Sequence, residues 1–177
     1  MYISLSGLVL WMSVTLVLST SRSNNTLMRN MRLQDRWSRL STLLDLEIAE
    51  GMLISYATAP SAACGGGSAD GDLVVTVTIP YLTTLNQVAT TAISYFARDR
   101  QFFRCGPAVH ASGRLLPDQA PVLSRLSERV QFQVDRSSST SQDPARSLRY
   151  SVQFLDSANA TLLSRSATAR TKVSLVQ

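Results

Sequence analysis

The stretch "LQDRWSRLSTLLDLEIAEGMLISY", Leu33 to Tyr56, sets the architecture of the chain. Leu33, Trp37, Leu40, Leu44 and Ile48 follow one another at steps of four, three, four and four. That spacing places them in one stripe on a helix. Arg36, Arg39, Asp45 and Glu47 fall mostly off the stripe. From Arg22 to Tyr56 there is no proline, and the only glycine is Gly51. The spacing therefore predicts an amphipathic helix over residues 22–56. Upstream, "MYISLSGLVLWMSVTLVLSTS" carries no charged side chain before Arg22. Joined end to end, the two segments make a rod of roughly 50 residues, about 75 Å long at the α-helical rise. The competing layout is an anchor, a kink within "SRSNNT" and an ordinary core helix.

The apolar part of the first segment, Tyr2 to Leu18, is near the short end of what crosses a bilayer as a helix. Its serines and threonines are tolerated in membrane helices because they bond back to their own backbone. A cleaved signal peptide would begin with basic residues and end at a small-residue cleavage site. No basic residue precedes the apolar run. Residues 1–21 are accordingly expected to be a retained single-pass anchor, with Leu8, Leu10, Val14, Leu16 and Val17 supplying its apolar surface.

Composition agrees with a folded domain behind that anchor. The chain has 177 residues, 45% hydrophobic and 16% charged, which argues against global disorder. Its net charge of +5 is almost wholly arginine, Lys172 being the sole lysine. The arginines are dispersed and form no basic block of the kind that marks a nucleic-acid tail. Arg98, Arg100 and Arg104 are the candidate contacts for a polyanion such as DNA.

After the helix, "ATAPSAACGGGSADGD" has the composition of a loop. β signals then dominate. "LVVTVTIPY" alternates and is closed by Pro80, and "TTAISYFA" with "QFFRC" reads as a hairpin around "RDR". "RVQFQVD" and "SLRYSVQFLD" alternate, with Val130, Phe132, Val134 and then Leu148, Tyr150, Val152, Phe154 on single faces. "ATARTKVSLV" is expected to be the last strand, "RSSSTSQDPAR" and "SANATLLSRS" hairpin loops, and "APVLSRLSE" a helical turn or a loop. The fold class is α+β: a long N-terminal helix packed on an antiparallel sheet, with residues 57–177 as the β-rich head.

Two cysteines, Cys64 and Cys105, stand forty-one residues apart. In a cytosolic protein they would be unrelated thiols; beyond a membrane anchor, in an oxidising space, they are expected to form a disulfide. A zinc site lacks support, because His110 is the single histidine and the spacing fits no zinc pattern. His110 has no nearby triad pattern. Asp70 and Asp72 lack the spacing of a calcium loop, and "GGG" lacks the Lys-Ser/Thr of a phosphate loop. No catalytic residue, cofactor or metal ligand is assigned, and the chain reads as a non-enzyme.

Three stretches together resemble type IV pilin-like proteins, in particular PilW-like minor pilins and pseudopilins. "LVLSTSRSNNTLMRNMRLQDRWSRLSTLLDLEIAEG" is similar to the family's helical spine, "ISYFARDRQFFRCGP" to its recurring hairpin, and "VLSRLSERVQFQVD" to the segment that follows. The family carries a basic leader, a glycine before the cleaved bond and a glutamate at the fifth mature position. Here Gly7 would precede the bond and Met12 would take the glutamate's place. The expectation is that the start lies inside the original helix and that a leader is missing. Arg22, Arg29, Arg32, Arg36 and Arg39 follow the anchor, and the positive-inside rule alone would leave the head in the cytoplasm; a basic leader would resolve this. The resemblance implies a structural subunit of a pilus or a type II secretion-like assembly, inner-membrane anchored with its head on the periplasmic side. Its implied partners are other pilins or pseudopilins, the inner-membrane assembly machinery and membrane lipid. The alternative is an anchored or secreted β-rich module that binds DNA or another polyanion.

Overall fold

The computed structural model describes residues 2–57, 64, 74–110, 115–117, 119–135 and 146–172, leaving aside the side chains of residues 2–10, 13, 22 and 57. The fold class is α+β. Among the described residues one helix, α1 (Tyr2–Glu50), precedes ten strands: β1 (Leu53–Ala57), β2 (Val74–Leu82), β3 (Val88–Arg98), β4 (Gln101–Gly106), β5 (Ala108–Val109), β6 (Leu115–Leu116), β7 (Val122–Glu128), β8 (Val130–Asp135), β9 (Ser147–Leu155) and β10 (Thr161–Arg170). No break interrupts α1 at "SRSNNT". Two compact units divide the chain, residues 1–38 and residues 39–177.

The helix ends earlier than the composition suggests, at Glu50 instead of near Tyr56. Gly51 N–H donates to the Ile48 carbonyl at 3.0 Å, and Met52 N–H donates to Thr78 of β2 at 2.9 Å, so the chain passes at once into the sheet. Gly51 permits this approach, since a Cβ there would stand 2.3 Å from Cγ1 of Val77. The run "LISYA" that follows is a strand, paired from Leu53 opposite Thr78 to Ala57 opposite Val74.

The described strands form three sheets, ordered β1-β2-β3-β4-β7, β10-β9-β8 and β5-β6, with each of these pairings antiparallel. The β3–β4 hairpin forms as the sequence predicts, around a two-residue turn at Asp99 and Arg100. Both have positive φ, 51° and 61°, the backbone signs of a type I′ turn. In β9 the alternation predicts burial well: Leu148, Tyr150, Val152 and Phe154 are all buried. On β8, Val130 is buried while Phe132 and Val134 are half-buried.

Three expectations are corrected. Pro80 does not close β2, which continues to Leu82. β1 reaches only to Thr78, so Pro80 stands on an edge where its missing N–H breaks no ladder bond. "VLSRLSE" is strand β7, not a helical turn or loop. Its register shifts between Phe102 and Phe103, whose partners are Ser127 and Arg125, so Leu126 is the extra residue of a bulge. The bulge disrupts strict alternation and leaves leucines at 123 and 126, a spacing that imitates a helix. Finally, β10 begins at Thr161 inside the expected loop and ends at Arg170, while residues 173–176 of the expected strand lie outside the described residues. The loop 136–145 also lies outside them.

The core of residues 39–177 has two sides. Tyr95, Phe102, Phe132 and Tyr150 carry aromatic contact from the five-stranded sheet to the three-stranded one, with Phe102 and Phe132 ring centroids 4.6 Å apart. Leu40, Leu44 and Ile48 of the helix are buried, the last two completely. Val74, Phe96, Cys64 and Cys105 form a cluster with Phe103 against it.

Candidate functional site

The candidate site is built from the helix and the join between helix and sheet, where the described residues place the longest exposed apolar run and a buried ion pair. From Trp11 to Arg32 every described side chain on α1 is exposed. Among them, Val14, Leu16 and Val17 are 52%, 68% and 66% accessible. Leu8 and Leu10 lie on the same helix, but their side chains fall outside the described ones. Three hydroxyls along this stretch are turned back onto the helix. Thr15 Oγ1 donates to the carbonyls of Trp11 (3.1 Å) and Met12 (2.9 Å), Ser19 to Leu16 (2.9 Å), and Thr20 to Leu16 (2.8 Å). Such back-bonding masks hydroxyls that would be costly against an apolar neighbour. Among the described residues no helix is long and apolar enough to cross a membrane.

Over its last three turns the helix behaves differently. Of the predicted stripe Leu33, Trp37, Leu40, Leu44 and Ile48, all are buried except Trp37, which is half-buried. Glu47, placed by sequence mostly off the stripe, is buried as well. Its carboxylate meets Arg104 of β4. Arg104 Nε donates to Oε1 at 2.8 Å and Oε2 at 3.1 Å, its second terminal nitrogen lies 2.8 Å from Oε1, and Nη1 donates to the Pro107 carbonyl at 3.0 Å. Desolvation raises the Glu47 pKa, and the hydrogen bonds and charge of Arg104 pull it back only in part. Nearby charge also acts on Tyr150: burial first, then Asp45, pushes its hydroxyl well above the ordinary value. Burial raises Asp45 in turn.

This pair takes up one of the three arginines expected as polyanion contacts. Arg104 is 4% exposed and committed to Glu47, so it offers nothing to a surface ligand. Arg98 is half-buried with its guanidinium 5.5 Å from the Phe96 ring centroid. Arg100 is exposed at the hairpin turn and donates to Asn159 Oδ1. Of the three, Arg104 is therefore buried, Arg98 half-buried and Arg100 exposed. A signal for the buried pair was present in sequence: Glu47 stands three residues after Leu44, a step that also belongs to the buried face.

Cys64 and Cys105 are joined in a disulfide, with Cα atoms 6.0 Å apart. The bridge ties residue 64 to β4 beside Val74 and Phe96. Asp70, Asp72 and the glycine run lie outside the described residues. His110 is exposed just after β5. Among the described residues no three His, Cys, Asp or Glu side chains cluster as a metal site. A cavity of about 580 Å3 lies between the β3–β4 turn and β8, lined by Arg100, Phe132, Gln133 and Asn159 among others. It holds no carboxylate, thiol or imidazole to act as acid, base or nucleophile.

A scan of protein-family models finds no match to this chain, and a search of curated proteins finds none either.

Proposed function

We propose that this protein is a structural, pilin-like subunit: its N-terminal helix anchors it and then packs among the helices of neighbouring subunits, while the β-rich head faces outward. The observation that carries this reading is the continuous helix Tyr2–Glu50, uncharged to Ser21, with large apolar side chains exposed at Trp11, Val14, Leu16, Val17 and Leu18. A helix satisfies its own backbone, so the same surface suits lipid before assembly and other helices after it. The inward-turned hydroxyls of Thr15, Ser19 and Thr20 fit both settings. In this reading the protein is a single-pass inner-membrane protein with an extracytoplasmic head, where the Cys64–Cys105 bridge is chemically at home. Its partners are other pilins or pseudopilins, the assembly machinery of the inner membrane, and lipid.

The test is cross-linking of the full chain in cells from a photoreactive residue at Val17, with Ser157 in the head as the control site. The reading expects adducts from position 17 to other helix-bearing subunits or to further copies. Equal labelling from both positions, or none from position 17, would overturn it.

A further inference from the structure

The β2–β3 hairpin extends past its neighbours. β1 stops opposite Thr78, and β4 pairs with β3 only from Ser94 onward. Among the described residues, Ile79–Leu82 and the opposing part of β3 pair only with each other. The tip is firmly closed: Thr83 N–H donates to Gln87, Asn86 N–H donates to Thr83, and Gln87 N–H also reaches the Thr83 hydroxyl. Leu82, Leu85 and Val88 are nonetheless 69%, 77% and 74% exposed. Between Asp72 and Arg98 there is no charged side chain, in a chain of net charge +5.

The two edges of this ribbon differ. The bond from Met52 to the Thr78 carbonyl turns Thr78 toward β1. Residues two apart in a strand face the same side, so Pro80 occupies the outer edge just past β1 and has no N–H to offer. On the other edge, the two-residue turn makes Arg98 and Gln101 a hydrogen-bonded pair, which turns Arg98, Phe96 and Ser94 toward β4. By the same alternation Ala92, Thr90 and Val88 face that way beyond the end of β4. All three are exposed. The β4 chain leaves the ladder after Gly106 at Pro107, which has no N–H to give Ala92.

We propose that this open edge, Val88 to Ala92, pairs antiparallel with the same edge of a second copy of the chain. With Thr90 on the two-fold axis, Val88 of each copy stands opposite Ala92 of the other, and every outward N–H meets an outward carbonyl. A second copy suits the edge because both sides are neutral, so pairing brings no like charges together where the rest of a net-positive chain would. Pro80 withholds a donor from the opposite edge, so the association closes at two copies and does not propagate as a ladder. The inference rests on the head alone and stands or falls apart from the pilin-like reading.

The full chain gives a direct test, since both native cysteines are in the disulfide and an introduced thiol reports alone. Thr90→Cys brings two thiols face to face at a Cβ spacing of about 4.5–5.5 Å, close to disulfide reach. A covalent dimer is expected on a non-reducing gel, reversed by reductant, and Ser157→Cys in an exposed turn is expected to stay monomeric. Adding Ala92→Pro removes an outward N–H that no strand among the described residues uses and lowers the dimer yield about tenfold. Thr90→Lys, which sets like charges opposite each other, lowers the dimer fraction seen by sedimentation in detergent with the melting curve unchanged. Overturning results are a Thr90→Cys yield no greater than that of Ser157→Cys, a disulfide to a different protein, or a yield indifferent to Ala92→Pro.

Discussion

The first and last thirds of the same helix obey different rules. Between Trp11 and Arg32 the described side chains are all exposed, apolar and charged alike. Between Leu40 and Ile48, apolar residues are buried, and a carboxylate, Glu47, is buried with them. Both parts are α-helical throughout, so the contrast does not come from propensity. In residues 39–50 the tertiary core decides which side chains are buried. In residues 11–32 that partner is lacking among the described contacts of the unit, and the exposed apolar surface is what a membrane or a neighbouring helix would cover.

Breaking the ion pair of the head should give the largest effect. Arg104→Ala leaves the Glu47 carboxylate buried with its main partner gone, which costs about 3–5 kcal/mol. Denaturant unfolding of the variant should show a midpoint shifted by that amount. An unchanged midpoint would mean that the carboxylate finds water and that the join is looser than its geometry. Leu44→Ala should follow, because the side chain is fully buried; about 3 kcal/mol is typical of a leucine truncation in a packed core. The same truncation at Leu16 should leave the melting curve of the head where it was, and a matching loss at both positions would erase the contrast between the two regions.

A smaller effect sharpens the account through pH. The folded-state pKa of Glu47 is raised above its ordinary value, mainly by desolvation. The folded form therefore binds its proton more tightly than the unfolded chain does. Its contribution to stability is fully present below the unfolded pKa and is lost as pH rises through the folded one. Measured against Glu47→Gln, the native chain should lose relative stability as pH climbs out of the acid range. A relative gain over that interval would mean that Arg104 outweighs desolvation.

How much of this was legible in sequence follows from what each signal depends on. Leu40, Leu44 and Ile48 were legible because a helical period survives in any context that buries one face. Leu148, Tyr150, Val152 and Phe154 were legible for the same reason at period two. The bridge between Cys64 and Cys105 was legible because the chain holds only these two cysteines to pair. β7 was not, because the bulge at Leu126 breaks its alternation. The start of β10 was hidden because residues 161–166 are half-buried or exposed and look like a polar loop until β9 pairs with them. The Glu47–Arg104 pair was missed because a charge was assumed to face water. Only the fold places β4 beneath the helix and makes Arg104 its partner.

The central claim is that the apolar surface of the N-terminal helix is an anchoring and assembly surface. Its most direct test is fractionation of cells that express the full chain or its Leu16→Arg variant. A charge near the centre of a membrane helix costs about 2.5–3.5 kcal/mol on insertion scales. The account predicts that the unmodified chain stays with the membrane through a carbonate wash and that Leu16→Arg moves largely to the soluble fraction with its head still folded and its disulfide intact. An unmodified chain found mostly in the soluble fraction, or a variant that stays in the membrane as fully as the parent, would contradict it.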